Sequence, residues 1–378
     1  MGDHHLATHQ IDHGDNAHGT LYMKILLLEY VTGGGLLAET PSGSLVAEGS
    51  LMLDALAEDW LEMPDVTVVI FQDRRLDNAT RYTAHPRVEI LRLASEREFQ
   101  RTWQAQLADC DAVWPIAPES GGVLERLCRE AEEAGTLLLN CPPEAVAVAA
   151  SKAKTAGRLA ARGVPAVSTQ LLAKSMEPDR FPLVAKPDEG VGCLESRIIR
   201  SRTEWEDWLR SAPHAQTERF DSALHQFDHR VSPRFVLQPL LEGEPSSLSA
   251  IFAHGQALLL SGNRQRVRET EGRFVFEGCS VNALRDTRSE LQALATAVAA
   301  ALPELWGYAG VDFVSAERGP VVLEVNPRLT TSYAGLRGAL GINVARLVRE
   351  LSGNGRLPHF TPPRGQCVEI VLEQVVDH

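Results

Sequence analysis

Residues 310–328 read GVDFVSAERGPVVLEVNPR. Two runs rich in β-branched residues flank Glu317-Arg318-Gly319, which fits a hairpin with a three-residue loop and glycine in the left-handed position. With Ala316 paired to Pro320, Val314 opposes Val322 and Asp312 opposes Glu324. Strand alternation puts Asn326 on the face of Glu324. Two carboxylates directly opposed destabilise a sheet unless a cation lies between them. An oxygen-only donor set, with no histidine or thiol, suits Mg²⁺, which takes one or two carboxylates and fills its remaining positions with water and nucleotide phosphates. The plainer alternative is a solvated acidic sheet face. Asp312 lies between Val311 and Phe313, in a run that reads as buried, and this favours the metal.

Upstream of this hairpin, FPLVAKPDEGVGC reads as a strand from Phe181 to Lys186 that runs into a loop with Gly190 and Gly192. A lysine at a strand end followed by bare backbone N–H groups suits phosphate oxygens; a glycine hairpin with a surface lysine is the alternative. The loop is not a P-loop, because the chain contains no G-x-x-x-x-G-K-[ST]. Further back, SKAKTAGRLAARG reads as a helix capped by Ser151 and stopped at Gly163. Lys152 falls in its first turn, where a cation opposes the helix dipole unless it faces an anion.

The chain ahead of Ser151 alternates strand and helix. KILLLEYV from Met23, VTVVIFQD (66–73), RVEILRL (87–93), CDAVWPIA (110–117) and TLLLNCP (136–142) read as strands, with helical stretches up to Trp60, over 95–109 and over 119–135. That alternation predicts a parallel α/β domain. Gly33-x-Gly35-x-x-Ala38 formally satisfies the dinucleotide fingerprint and raises the alternative of an NAD-binding oxidoreductase. Such a site also needs an acid at the end of the second strand, about 20 residues on. Asp54 has the spacing but falls in a helix, and Asp73 has the place but comes 40 residues after Gly33. A tight turn between strand and helix accounts for the glycines as well.

At 378 residues, the chain is long enough for two or three domains, and 44% hydrophobic with 23% charged residues is a globular composition. Fifty acidic against 37 basic side chains leave a net charge of −13, which argues against nucleic-acid and anionic-membrane partners. The six cysteines form no C-x-x-C pair, and no apolar run approaches the roughly 20 residues that cross a bilayer, so a cytoplasmic protein is expected. The histidine-rich stretch 1–22 reads as a flexible tail, and the scattered His214, His225 and His229 suggest no function.

In order and spacing, Lys152, Lys186 with its glycine loop, Asp312, Glu324 and Asn326 before Pro327-Arg328 resemble the ATP-grasp superfamily over residues 23–351. The resemblance implies an α/β and α+β fold: a Rossmann-like preliminary domain (23–145), a small lid carrying both lysines (146–238) and a C-terminal α+β domain (239–378) carrying the metal ligands. It implies ATP with Mg²⁺, or Mn²⁺ in its place, held by Asp312, Glu324 and Asn326. Lys152, Lys186, Gly190 and Gly192 would meet the phosphates, Gln238 and Leu240 the adenine through their backbone, and Glu244 the ribose. Ser151-Lys152 departs from the frequent Asp-Lys of the superfamily, and Gln238 from a frequent acid.

Within the superfamily, KILLLEYVTGGG, KPDEGVGC, SGNRQRV and EVNPRLTTSYAGLRGALG are similar to the tyramine–glutamate ligases, a family associated with methanofuran-type one-carbon carriers. This implies that ATP phosphorylates a glutamate carboxylate and that the amine of tyramine, or of a tyrosine-like acceptor, displaces the phosphate. Arg328, on the metal face if its strand continues, would stabilise the acyl phosphate beside Lys186. Asn263, Arg264 and Gln265, or Thr330, Thr331 and Ser332, would hold the amino acid, with a plain surface arginine the alternative for Arg264. The expected partners are an amino acid and an amine, with a homodimer left open. An ATP-grasp ligase or carboligase of another specificity is the nearer alternative.

Overall fold

A computed structural model of the chain describes residues 22–76, 80–173, 176–190, 195–211 and 234–372. The histidine-rich stretch up to residue 21, Gly192, and His214, His225 and His229 lie outside these residues.

The first third builds a parallel sheet from β1 (Met23–Glu29), β2 (Val66–Asp73), β3 (Val88–Leu93), β4 (Ala112–Ile116) and β5 (Leu137–Leu138), in the order β3-β2-β1-β4-β5. Between them run α1 (Gly43–Leu61), α2 (Glu96–Asp109) and α3 (Val123–Ala134). Ile25, Leu26, Leu27 and Leu28 of the central strand are fully buried, as a continuous apolar run covered on both faces requires. The strand expected over 136–142 shrinks to two residues, because the Pro142-Pro143 pair starts α4 (Pro143–Ala149).

The dinucleotide reading of Gly33–Gly35 fails here. No helix begins at those glycines: α1 starts at Gly43, with the Ser42 hydroxyl accepting from the Leu45 amide at 3.4 Å. A Cβ on Gly35 would lie 2.4 Å from the ring of Tyr30, so the glycine is there to let the chain fold back on that tyrosine. The Asp73 carboxylate that would grip a ribose is held by Arg75 at 2.6 Å.

The remainder builds two antiparallel sheets. The smaller has the order β6-β9-β7-β8, from β6 (Gln170–Leu171), β7 (Leu183–Pro187), β8 (Arg197–Ile199) and β9 (Phe235–Pro239). Two helices belong to this stretch, α5 (Lys152–Ala161) before the sheet and α6 (Arg202–Ser211), which puts its Trp205 into the core of the sheet. The larger sheet runs β14-β13-β10-β11-β12-β15. Its strands are β10 (Glu244–Ala253), β11 (Gln256–Thr270), β12 (Arg273–Val281), β13 (Gly307–Ala316), β14 (Gly319–Asn326) and β15 (Val368–Val371). Three helices accompany it, α7 (Arg288–Ala301), α8 (Tyr333–Leu340) and α9 (Val344–Asn354). The chain after α5 is anchored on this larger sheet, since the Val167 amide donates to the Val322 carbonyl at 2.9 Å. Among the described residues no helix is long and apolar enough to cross a membrane.

One buried carboxylate joins the N-terminal domain to the last helices. Asp59 near the end of α1 accepts the Tyr333 hydroxyl at 2.7 Å, both Nε (3.0 Å) and Nη2 (2.6 Å) of Arg337, and the Val344 amide at 3.0 Å. The last contact caps α9 from outside its own chain segment, where a negative charge complements the helix dipole. Asp59→Ala leaves the Tyr333 hydroxyl and the Val344 amide without their acceptor and Arg337 with Glu62 alone, and should lower unfolding free energy by about 2 kcal/mol, read from the urea midpoint of the full chain.

Candidate active site

The site starts from the β13–β14 hairpin, whose register differs from the expected one in two places that cancel. The turn has two residues, Glu317-Arg318, so Ala316 pairs with Gly319 and Phe313 with Val322. Gly319 carries a φ of +111°, a conformation that glycine tolerates best. A bulge then inserts Leu323, and beyond it Asp312 pairs with Glu324 as expected. The register continues across β10 and β11, where Ser247 pairs with both Asp312 and Asn263. Glu324, Asp312, Ser247 and Asn263 thus form one polar rung across four strands.

This rung is held from both sides. Asp312 accepts the Gln265 side-chain amide at 2.9 Å and that of Asn326 at 3.2 Å. Burial, and then the facing Glu324, push the Asp312 carboxyl up, to about 7. Glu324 goes the other way. Burial works against its charge, but the ammonium groups of Lys152 and Lys186 lie 3.4 and 3.5 Å from its Oε2 and hold the carboxyl below the usual range. One member of the pair is therefore ready to lose a proton to an arriving cation, and the other is already an anion.

Lys152 reaches this point because α5 begins against the loop after β7. The Asp188 carboxylate accepts the Ala153 amide at 2.9 Å and the Ser151 hydroxyl at 2.8 Å, while its backbone carbonyl accepts the Lys152 amide at 3.1 Å. Asp188 supplies the negative charge that the helix N-terminus favours, offsetting the unfavourable lysine in its first turn. The Gly190 carbonyl accepts from Lys152 Nζ at 3.1 Å. Lys186, at the end of β7, comes from the other side of the same loop.

Arg328 lies on the N-terminal side of this cleft. Its Nε sits 3.0 Å from Glu119, a residue of the loop before α3, and both side chains are nearly buried. Burial opposes its charge, and Glu119 first, then Glu48 and Asp312, more than restore it. Arg264 is not part of this group. It pairs across from Ser246, one residue off the polar rung, so its side chain leaves on the opposite face and meets Glu244 at 3.0 Å in solvent. Of the expected set Asn263, Arg264 and Gln265, it is Gln265 that reaches Asp312. Asn263 is wholly buried, giving its amide to Ser247 (3.2 Å) and accepting from the Ser261 hydroxyl (2.9 Å) and the Asn282 amide (3.0 Å).

The residues expected around adenine lie on β9 and just after it. Gln238 is buried, its side-chain amide donating to Thr169 at 2.9 Å. The Leu240 amide donates to the Pro182 carbonyl at 3.2 Å, so it is engaged within the small sheet. Glu244 opens β10 and is exposed beside Arg264.

A divalent cation fits the rung. Its donors are two opposed carboxylates and a side-chain carbonyl, all oxygen, and among the described residues no group of three or more His, Cys, Asp or Glu converges on a point. Such an incomplete set leaves the other coordination positions to phosphate and water, as Mg²⁺ prefers.

Residues 66–146 match the pre-ATP-grasp 3 domain and residues 149–332 the ATP-grasp domain. The chain belongs to the ATP-grasp family. It is 26% identical over 315 residues to the tyramine–L-glutamate ligase of Methanocaldococcus jannaschii, covering 83% of this chain and 84% of that protein. The fold is similar to the biotin carboxylase domain dimer of Hydrogenobacter thermophilus 2-oxoglutarate carboxylase, solved with MgADP and bicarbonate: TM-score 0.68, 14% identity, 92% of this chain and 72% of that one. It is also similar to the L-amino acid ligase of Bacillus licheniformis, with TM-score 0.60, 16% identity, 88% of this chain and 75% of that one.

The raised Asp312 carboxyl sets the sign of a pH effect. Its proton stays on in the folded protein through pH values at which an unfolded aspartate has lost it, so a cation must displace it. Affinity for Mg²⁺·ADP should rise about tenfold per pH unit below the Asp312 value and level off above it, as read by calorimetric titration from about pH 5.5 to 8.5.

Proposed function

We propose that this protein is an ATP-dependent, ADP-forming carboxylate–amine ligase that makes an amide through an acyl phosphate. The supporting observation is the convergence of Lys152 and Lys186 on one oxygen of Glu324, the carboxylate opposed to Asp312. Three segments distant in sequence bring two cations, two carboxyl groups and an amide into one cleft, the arrangement that a polyphosphate with its metal would complete.

Asp312, Glu324 and Asn326 would hold Mg²⁺, which supplies neutralisation of the phosphoryl oxygens when bound. Lys152 and Lys186, which share one oxygen of Glu324, would clamp the phosphate oxygens. A substrate carboxylate oxygen attacks the γ-phosphorus, the bond to the bridging oxygen breaks, and ADP departs. The carboxylate, a poor electrophile, has become an acyl phosphate. The amine nitrogen then attacks the acyl carbon, the C–O bond breaks, and inorganic phosphate leaves as the nitrogen gives up its proton. Arg328, held in place by Glu119, is poised to stabilise charge on the acyl phosphate. No side-chain nucleophile is needed.

For the substrates we propose L-glutamate and tyramine or a tyrosine-like amine, as in methanofuran-type cofactor assembly, because the relative of M. jannaschii matches across most of both chains. Gln238, the Leu240 region and Glu244 are proposed to border the nucleoside, and Gly190 the phosphates.

Incubating the protein with ATP, Mg²⁺, L-glutamate and a panel of amines, with mass detection of products, tests this reading. ADP, phosphate and a glutamyl amide should form only when acid and amine are both present. Formation of AMP rules the mechanism out, and ADP release that needs no amine points to a carboligase or kinase. Glu324→Ala should lower turnover about 100-fold or more with an unchanged circular dichroism spectrum. Near-normal ligation by this variant overturns the metal assignment.

A further inference from the structure

The junction between the N-terminal domain and the large sheet carries more negative charge than its side chains balance. Four carboxylates are spread along it: Glu119 before α3, Glu48 in α1 and Asp312 each act on Arg328, and Glu48 also acts on Glu29 at the end of β1. Glu119 is neutralised by Arg328. Asp312 is held by two amides and belongs to the metal rung. Glu29 is buried and accepts the Thr32 amide at 2.7 Å, the Thr32 hydroxyl at 2.6 Å and the Val31 amide at 3.2 Å, and burial followed by these contacts and by Glu48 leaves its carboxyl raised. Among the described residues, Glu48 has neither an arginine partner like Glu119 nor amide donors like Glu29 and Asp312. It is half-buried, it accepts the Thr331 hydroxyl through Oε1, and among the described residues no cationic side chain lies within ion-pair distance of it. Thr331 is three residues beyond Arg328, on the loop that follows the metal strand.

Resting on the ligase reading above, we infer that Glu48 is a specificity-determining residue whose carboxylate receives the α-ammonium group of the amino-acid substrate. Arg328 and the rung hold the end of that substrate that becomes phosphorylated, and Glu48 recognises the charged nitrogen at its other end. An ammonium group there restores charge balance to a site with one arginine and an excess of carboxylates. It also selects amino acids over simple carboxylic acids, because a carboxylic acid without the nitrogen leaves the Glu48 charge unpaired. The residue spans two domains, from α1 to the Thr331 loop, so the bound amino acid strengthens their contact.

The test compares acids with and without the nitrogen: L-glutamate against glutarate, L-aspartate against succinate and L-alanine against propionate. Each is measured as KM in the ligase assay and as Kd by calorimetry on protein loaded with Mg²⁺ and a non-hydrolysable ATP analogue. Glu48→Gln keeps an acceptor for Thr331 while removing the charge. The variant should weaken the preferred amino acid about tenfold or more, change its deaminated counterpart less than about twofold, and leave the KM for ATP unaltered. Equal losses for both members of a pair overturn the inference and assign Glu48 to the amine or to the fold, as does a wild-type protein that never prefers the aminated member. If no acid is ligated, the proposed function fails by itself, and the calorimetric arm still decides the role of Glu48.

Discussion

The opposition of Asp312 and Glu324 on neighbouring strands is the constraint around which the rest of the molecule is arranged. Two buried carboxylates at that spacing repel unless something separates their charges. Here the separation is asymmetric: two amides support a carboxyl that tends to keep its proton, and two ammonium groups support one that has lost it. A polar rung of this kind in the middle of a sheet contributes little to stability and favours a specific ligand. Lys152 and Lys186 balance Glu324 in the nucleotide-free protein, so removing that carboxylate strands two nearly buried cations.

The α1 helix has a comparable role at the other boundary. Its last turns bring Asp59 to the helices beyond the metal strand, and its first turns bring Glu48 to the loop between them. One 19-residue helix therefore spans the junction, with a fully occupied carboxylate at one end and an incompletely matched one at the other. The N-terminal domain is more than a preliminary to the nucleotide site, because through Glu119 it also sets the position of Arg328.

Much of this was legible in the sequence where the physics is local. The parallel domain followed from apolar runs that alternate with helical periodicity, and the carboxylate rung from strand parity within a single hairpin. Even there, the agreement arises from a two-residue turn compensated by a bulge at Leu323, which parity alone does not reveal. Where the answer depended on register between distant strands, the sequence was silent. Arg264 and Gln265 are neighbours with equally suitable chemistry, and only the pairing of Ser247 with both Asn263 and Asp312 shows which of them faces the rung. Glu48 and Glu119 carried no motif, and Asp188 lay in the glycine loop without a role of its own, since each acts on a residue brought to it by folding. The Gly33–Gly35 cluster shows the converse, a motif whose spacing is met for reasons of packing against Tyr30.

The clasp formed by Asp188 has a mechanical consequence. It fastens the chain leaving β7 to the start of α5, and the segment after α5 is in turn anchored on the large sheet. Any swing of the four-stranded sheet must therefore turn about a point within two residues of Lys186 and adjacent to Lys152. Near a pivot the arc is short, so both ammonium groups stay close to Glu324 while the far edge of that sheet sweeps through space. In the proposed ligase, charge at the phosphate end would be set in advance, leaving the far edge of the sheet to enclose the base.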